Sequence, residues 1–131
     1  MTTPNIDLYM PKTYIFERKG KSYGDVADMT QQATALDFVY LPRGLSMVTV
    51  MATGMAQSQL KIWLNGPGYR EALSENTSVT NTTQRIWTGQ ISNPGDGNQG
   101  RWLKIQAWNV PTAAMNNGSV SVQIINFPPE N

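Results

Sequence analysis

Seven short runs, each patterned like a β-strand and bounded by turn-forming residues, recur along the chain. They are KTYIFERK (12–19), ATALDFVYL (33–41), LSMVTVMAT (45–53), QSQLKIWLN (57–65), QRIWTGQI (84–91), RWLKIQAWNV (101–110) and SVSVQIINF (119–127). On a strand, successive side chains point to opposite faces, so a run that alternates apolar with polar residues buries one face and wets the other. No long helical pattern separates the runs, which removes the crossovers that a parallel sheet needs. The predicted class is all-β: an antiparallel two-sheet β-sandwich of jelly-roll type with seven or eight strands.

The punctuation between the runs carries its own expectations. Pro42-Arg43-Gly44 reads as a turn, and Asn65-Gly66-Pro67-Gly68 is the strongest break in the chain. It opens a polar segment in which YREALSE (69–75) has the composition for one or two helical turns and NTSVTNTT (76–83) reads as loop or edge strand. SNPGDGNQG (92–100) is a loop, and Asn117-Gly118 suits a turn with positive φ. The last two runs then form a hairpin or lie in opposite sheets.

A length of 131 residues fits one domain, whose folding removes roughly two thirds of the unfolded surface from water. We expect a single sandwich over 1–131 with a short N-terminal arm (1–11) and a C-terminal arm (128–131). Those ends hold prolines, which cannot donate to a ladder, and few apolar residues. The start of the chain lacks the basic-then-apolar pattern of a secretory signal, and no apolar run reaches membrane-spanning length, so no membrane partner is expected. The expected location is the virion surface for a viral chain and the cytoplasm otherwise.

Composition excludes more chemistry than it offers. The chain has no histidine and no cysteine, which removes the commonest general base, the commonest zinc ligand, thiolate sites and every Ser-His or Cys-His arrangement. Ten Lys plus Arg against nine Asp plus Glu leave a net charge of +1, without the basic excess that nucleic-acid backbones demand. The remaining catalytic option is a carboxylate pair of glycosidase type, drawn from Asp7, Glu17, Asp25, Asp28, Asp37, Glu71, Glu75, Asp96 and Glu130, whose spacing nominates no pair. Asp96 and Asn98 are spaced like the start of a calcium loop, but the closing glutamate is missing and a turn explains them. No cofactor or metal is expected. Three Asn-X-Ser/Thr triplets begin at Asn76, Asn81 and Asn117, as chance allows in a chain this rich in Asn, Ser and Thr. Met47 and Met51 share one strand face, which reads as flexible core filling.

The tryptophans give the main functional lead. In RWLKIQAWN, one face carries Leu103, Ile105 and Ala107, and the other carries Trp102, Lys104, Gln106 and Trp108. QLKIWLN repeats the arrangement, with Leu60, Ile62 and Leu64 inward and Lys61, Trp63 and Asn65 outward. A large aromatic ring among polar neighbours on a non-core face calls for partial cover and a hydrogen-bond partner for its N–H. Three readings follow. In the first, the face is a protein interface, and the chain is a non-enzymatic structural subunit such as a phage capsid decoration protein, binding a capsid-like shell and copies of itself as a trimer. In the second, the chain is a carbohydrate-binding module or lectin, with Trp63, Trp102 and Trp108 stacking on sugar and Asn65, Gln106 and Asn109 binding hydroxyls. In the third, local chain covers the rings and they belong to a second small core. A small glycosidase-like enzyme stands behind these.

Overall fold

The computed structural model describes residues 11–19, 34–95 and 100–129, with the side chains of 11–16, 39–95 and 100–129. The seven runs become strands almost at their expected bounds: β1 (Lys12–Lys19), β2 (Thr34–Tyr40), β3 (Gly44–Thr53), β4 (Gln59–Gly66), β7 (Thr83–Asn93), β8 (Trp102–Trp108) and β9 (Ser119–Phe127). Two short strands, β5 (Tyr69–Ala72) and β6 (Thr77–Ser78), and one short helix, α1 (Thr112–Asn117), complete the elements among the described residues.

Every strand pairing is antiparallel, and the strands form two sheets in the orders β1-β9-β3-β7 and β2-β8-β4-β5, with the two-residue β6 also paired to β4. Successive strands β1 to β4 alternate between the sheets, and so do β7, β8 and β9. This is the eight-stranded jelly-roll order, with β6 as a ninth, marginal strand. β8 and β9 lie in opposite sheets, the second of the two arrangements the sequence allowed.

The inner faces close on each other. Val48, Val50 and Ala52 of β3, Val120, Val122 and Ile124 of β9, and Ile91 of β7 meet Leu60, Ile62 and Leu64 of β4 and Leu103, Ile105 and Ala107 of β8 in one buried cluster. Met55, Val79 and Val110 close one end of it. At the other end the buried polar groups are satisfied, as they must be out of water. Asn93 Nδ2 donates to the carbonyls of Leu41 (2.8 Å) and Pro42 (3.3 Å), while its Oδ1 accepts from the Arg101 amide at 2.9 Å. Asn126 Nδ2 donates to the Arg43 carbonyl (3.2 Å) and to Ser46 Oγ (3.1 Å). Two asparagines thus pin the Pro42-Arg43-Gly44 turn to β7 and β9.

Ser58 is fully buried between β3 and β4, and its Oγ has no hydrogen-bond partner among the described residues. A hydroxyl in that position costs desolvation without return. Ser58→Ala is expected to raise stability by about 1 kcal/mol, read from the urea midpoint; a loss of stability would show that the hydroxyl has a partner.

Three sequence expectations are corrected. YREALSE is not helical: Tyr69–Ala72 pairs with β4, closed by Gly66↔Tyr69 around Pro67-Gly68. Gly68 has φ +66, so Pro67 and Gly68 take the central places of a type II turn, and the hairpin dictates extended backbone beyond it. The loop before β9 contains α1, and Gly118 sits at φ −81. What reserves that position for glycine is crowding, since a Cβ would lie 2.6 Å from the Ala114 carbonyl oxygen and 2.8 Å from that of Gly54. Met47 and Met51 do not fill the core. The inward set on β3 is Ser46, Val48, Val50 and Ala52, which leaves Met47 45% exposed on the outer face. In the C-terminal arm, Pro128 and Pro129 lie half-buried against Gly44. Residues 1–10, 96–99, 130 and 131, and with them most of the N-terminal arm and the Asp96 loop, lie outside the described residues.

Candidate functional site

Alternation on β4 and β8, combined with their register, assembles one surface. Leu60, Ile62 and Leu64 on β4 and Leu103, Ile105 and Ala107 on β8 are buried, so the intervening residues face outward. Trp63 pairs with Lys104, Asn65 with Trp102, Lys61 with Gln106 and Gln59 with Trp108. All seven residues singled out from the sequence (Lys61, Trp63, Asn65, Trp102, Lys104, Gln106 and Trp108) therefore share the outer face of the five-stranded sheet, each half-buried.

Two further residues join them. Tyr40 of β2 pairs with Trp102, their ring centroids 5.9 Å apart at a tilt of 42°, and Tyr40 is 56% exposed. Its signal was legible, because Val39 and Leu41 on either side are core residues and alternation sends Tyr40 outward. Arg70 of β5 pairs with Asn65, and its guanidinium lies 4.1 Å from the Trp63 ring centroid. Sequence reasoning missed Arg70 because it read that segment as suited to one or two helical turns and not to a strand paired with β4.

The three tryptophans of this face differ in what they offer. The Trp63 indole N–H donates to Gln106 Oε1 at 2.8 Å, and Lys61 Nζ joins Arg70 at its ring, 4.4 Å from the centroid. Each such cation–π contact contributes about 0.5–1 kcal/mol at an exposed site and orients the cation. Trp63 is therefore a post that holds two cations, while Trp102 and Trp108 present apolar area at the two ends of β8. Asn109, at φ 55, donates from Nδ2 to Gln59 Oε1 at 3.2 Å and braces the Trp108 end. Counting Lys104, the face carries three cations, and its described side chains include no carboxylate. The fourth tryptophan, Trp87 of β7, belongs elsewhere: it packs against the core over Gly89, where a Cβ would lie 2.6 Å from its ring.

A notch of about 340 Å³ opens at the end of the sandwich, lined by Gly66, Pro67, Gly68, Tyr69, Pro94 and Arg101. The Arg101 guanidinium lies 4.6 Å from the Tyr69 ring centroid, and the Tyr69 hydroxyl donates to Glu71. That hydrogen bond raises the Tyr69 pKa above its ordinary value, against the opposing charge of Arg101. Of the nine carboxylates, only Glu71 and Glu75 have described side chains, and both are exposed. The other seven lie outside the described side chains.

No protein-family model matches the chain, and no curated protein does. Among solved structures, the chain is similar to a point mutant of the VP2 protein of infectious bursal disease virus in derived T=1 particles. The identity is 13% and the TM-score 0.41, over 89% of this chain and 33% of that one. It is also similar to a chain of the infectious bursal disease virus Gx strain, at 11% identity and a TM-score of 0.35, over 92% of this chain and 37% of that one. The chain spans about a third of the length of these proteins. Among the described residues, no helix is long and apolar enough to cross a membrane.

Proposed function

We infer that the chain is a non-enzymatic structural subunit of a viral particle, a decoration protein that binds a capsid-like shell and copies of itself at the virion surface. The observation that carries the reading is the outer face of the five-stranded sheet. Trp102, Trp108 and Tyr40 lie there beside Arg70, Lys61 and Lys104, and aromatic residues and arginine are the types over-represented where proteins bind proteins. A jelly roll, which viral shells and lectins both use, supplies the rigid support. The absence of histidine and cysteine from the sequence also favours binding over catalysis.

The carbohydrate reading draws on the same face but fits it less well. A stacking sugar wants a free ring, whereas Trp63 already holds Lys61 and Arg70, and its N–H is taken by Gln106. The test is a density gradient of virus particles purified from the source of this sequence, with tagged chain added. Wild type is expected to band with the particles, and a Trp102→Ala/Trp108→Ala double variant is expected to stay at the top. Wild-type chain that fails to band, together with tryptophan fluorescence quenched by neutral oligosaccharides, would replace this reading with the lectin.

A further inference from the structure

The opposite side of the sandwich carries a second surface with a different chemistry. On the outer face of the β1-β9-β3-β7 sheet, Leu45 pairs with Phe127 and Met47 with Ile125, so four apolar side chains form a block on adjacent strands. Ile15 of β1 pairs with Gln123 and is diagonal to Ile125. Leu45 is 41%, Met47 45%, Phe127 39% and Ile15 69% exposed. The block is edged by uncharged polar residues, with Thr13 beside Ile125, Gln90 beside Met47 and Ser92 beside Leu45. A contiguous apolar centre with a polar rim is the anatomy of a protein interface.

We propose that this face pairs two copies of the chain about a twofold axis, sheet against sheet. The proposal rests on the reading above, that the chain works by assembly, and assigns self-association to this face. Charge decides between the two faces. A twofold axis brings a patch against itself, so the tryptophan face would set Lys61, Arg70 and Lys104 against the same three cations. The described outward side chains of the four-stranded sheet include a single charge, Arg85, which pairs with Met51 two outward rows beyond Met47, and the register sets Glu17 and Lys19 of β1 opposite Ser121 and Ser119, farther along the strands from the apolar block.

Area agrees. Four strands about 4.8 Å apart and about ten residues long, at roughly 3.3 Å each, give a face of order 600 Å², comparable to the roughly 800 Å² per partner of a standard interface. Met47 supplies the adaptable filling that a self-matched surface needs. A self-complementary patch closes at two copies, whereas the trimer expected from the sequence would need two different patches that fit each other.

The test is size-exclusion chromatography with light scattering on the full chain, across a concentration series reaching about 100 µM, well above a micromolar Kd. The expected result is a dimer that Met47→Glu weakens at least tenfold, with the circular dichroism and melting temperature of the isolated subunit unchanged. Leu45→Glu, on the next row, is expected to do the same, and Trp102→Ala is expected to leave the dimer intact. A chain that stays monomeric throughout, a trimer, or a dimer insensitive to both glutamates would overturn the proposal. Its failure is separable from failure of the shell reading: particle binding by a monomer overturns only the pairing, and a dimer that ignores particles overturns only the shell.

Discussion

Gly44→Ala is expected to cost about 3–5 kcal/mol, a large part of the total stability of a domain this size. Gly44 opens β3 at φ +110, a region that L side chains rarely adopt, and a Cβ there would lie 2.4 Å from the Phe127 carbonyl oxygen. The backbone has no room to yield. Asn126 holds the turn through the Arg43 carbonyl, Asn93 holds it through Leu41 and Pro42, and Pro129 Cδ would sit 3.0 Å from the new methyl. Gly68→Ala is the control. It also has positive φ, +66, but nothing lies within 4 Å of its Cβ position, so only the left-handed conformation is penalised, at roughly 1 kcal/mol. Urea unfolding of the two variants checks the difference. Equal losses would mean that the chain does not cross itself at Gly44 as described.

The second large effect separates the two faces of one strand. Ile105 of β8 is fully buried and paired with Ile62 across the sheet, so Ile105→Ala is expected to cost about 3–4 kcal/mol through lost transfer energy and the cavity left behind. Trp102 removes a larger side chain but stands on the outer face with Tyr40 as its aromatic neighbour, so Trp102→Ala is expected to cost only about 1 kcal/mol. The ordering is opposite for particle binding, which Ile105→Ala leaves intact below its melting temperature and Trp102→Ala weakens. If Trp102→Ala were the more destabilising change, the tryptophan would belong to a core, and the interface reading of this face would fall with it.

Much of this architecture was legible because alternation with a clean polar partner is unambiguous. LKIWLN and WLKIQAW each have one parity of aliphatic residues and one of polar or aromatic residues, so the inner set and all seven face residues followed directly. LSMVTVMAT is different. Leu45, Met47 and Met51 on one parity and Val48, Val50 and Ala52 on the other are all apolar, and the pattern alone does not choose between them. Packing against the second sheet chose the smaller set, and the apolar block of the outer face went unseen. Arg70 was missed because local composition favoured a helix, while the Pro67-Gly68 turn returns the chain onto β4. The crowding at Gly118 involves Met55 and Gly54, more than sixty residues away in sequence, which no local reading of Asn117-Gly118 contains.

The central claim is that the tryptophan face of the five-stranded sheet is the surface that grips the particle. Oxidative footprinting of the four tryptophans, read by mass spectrometry on free and particle-bound chain, tests it most directly. Trp102 and Trp108 are expected to become strongly protected on the particle, while Trp87, packed on the core of the other sheet, keeps the same low rate in both states. Unchanged rates at Trp102 and Trp108 on chain that is demonstrably particle-bound would contradict the account.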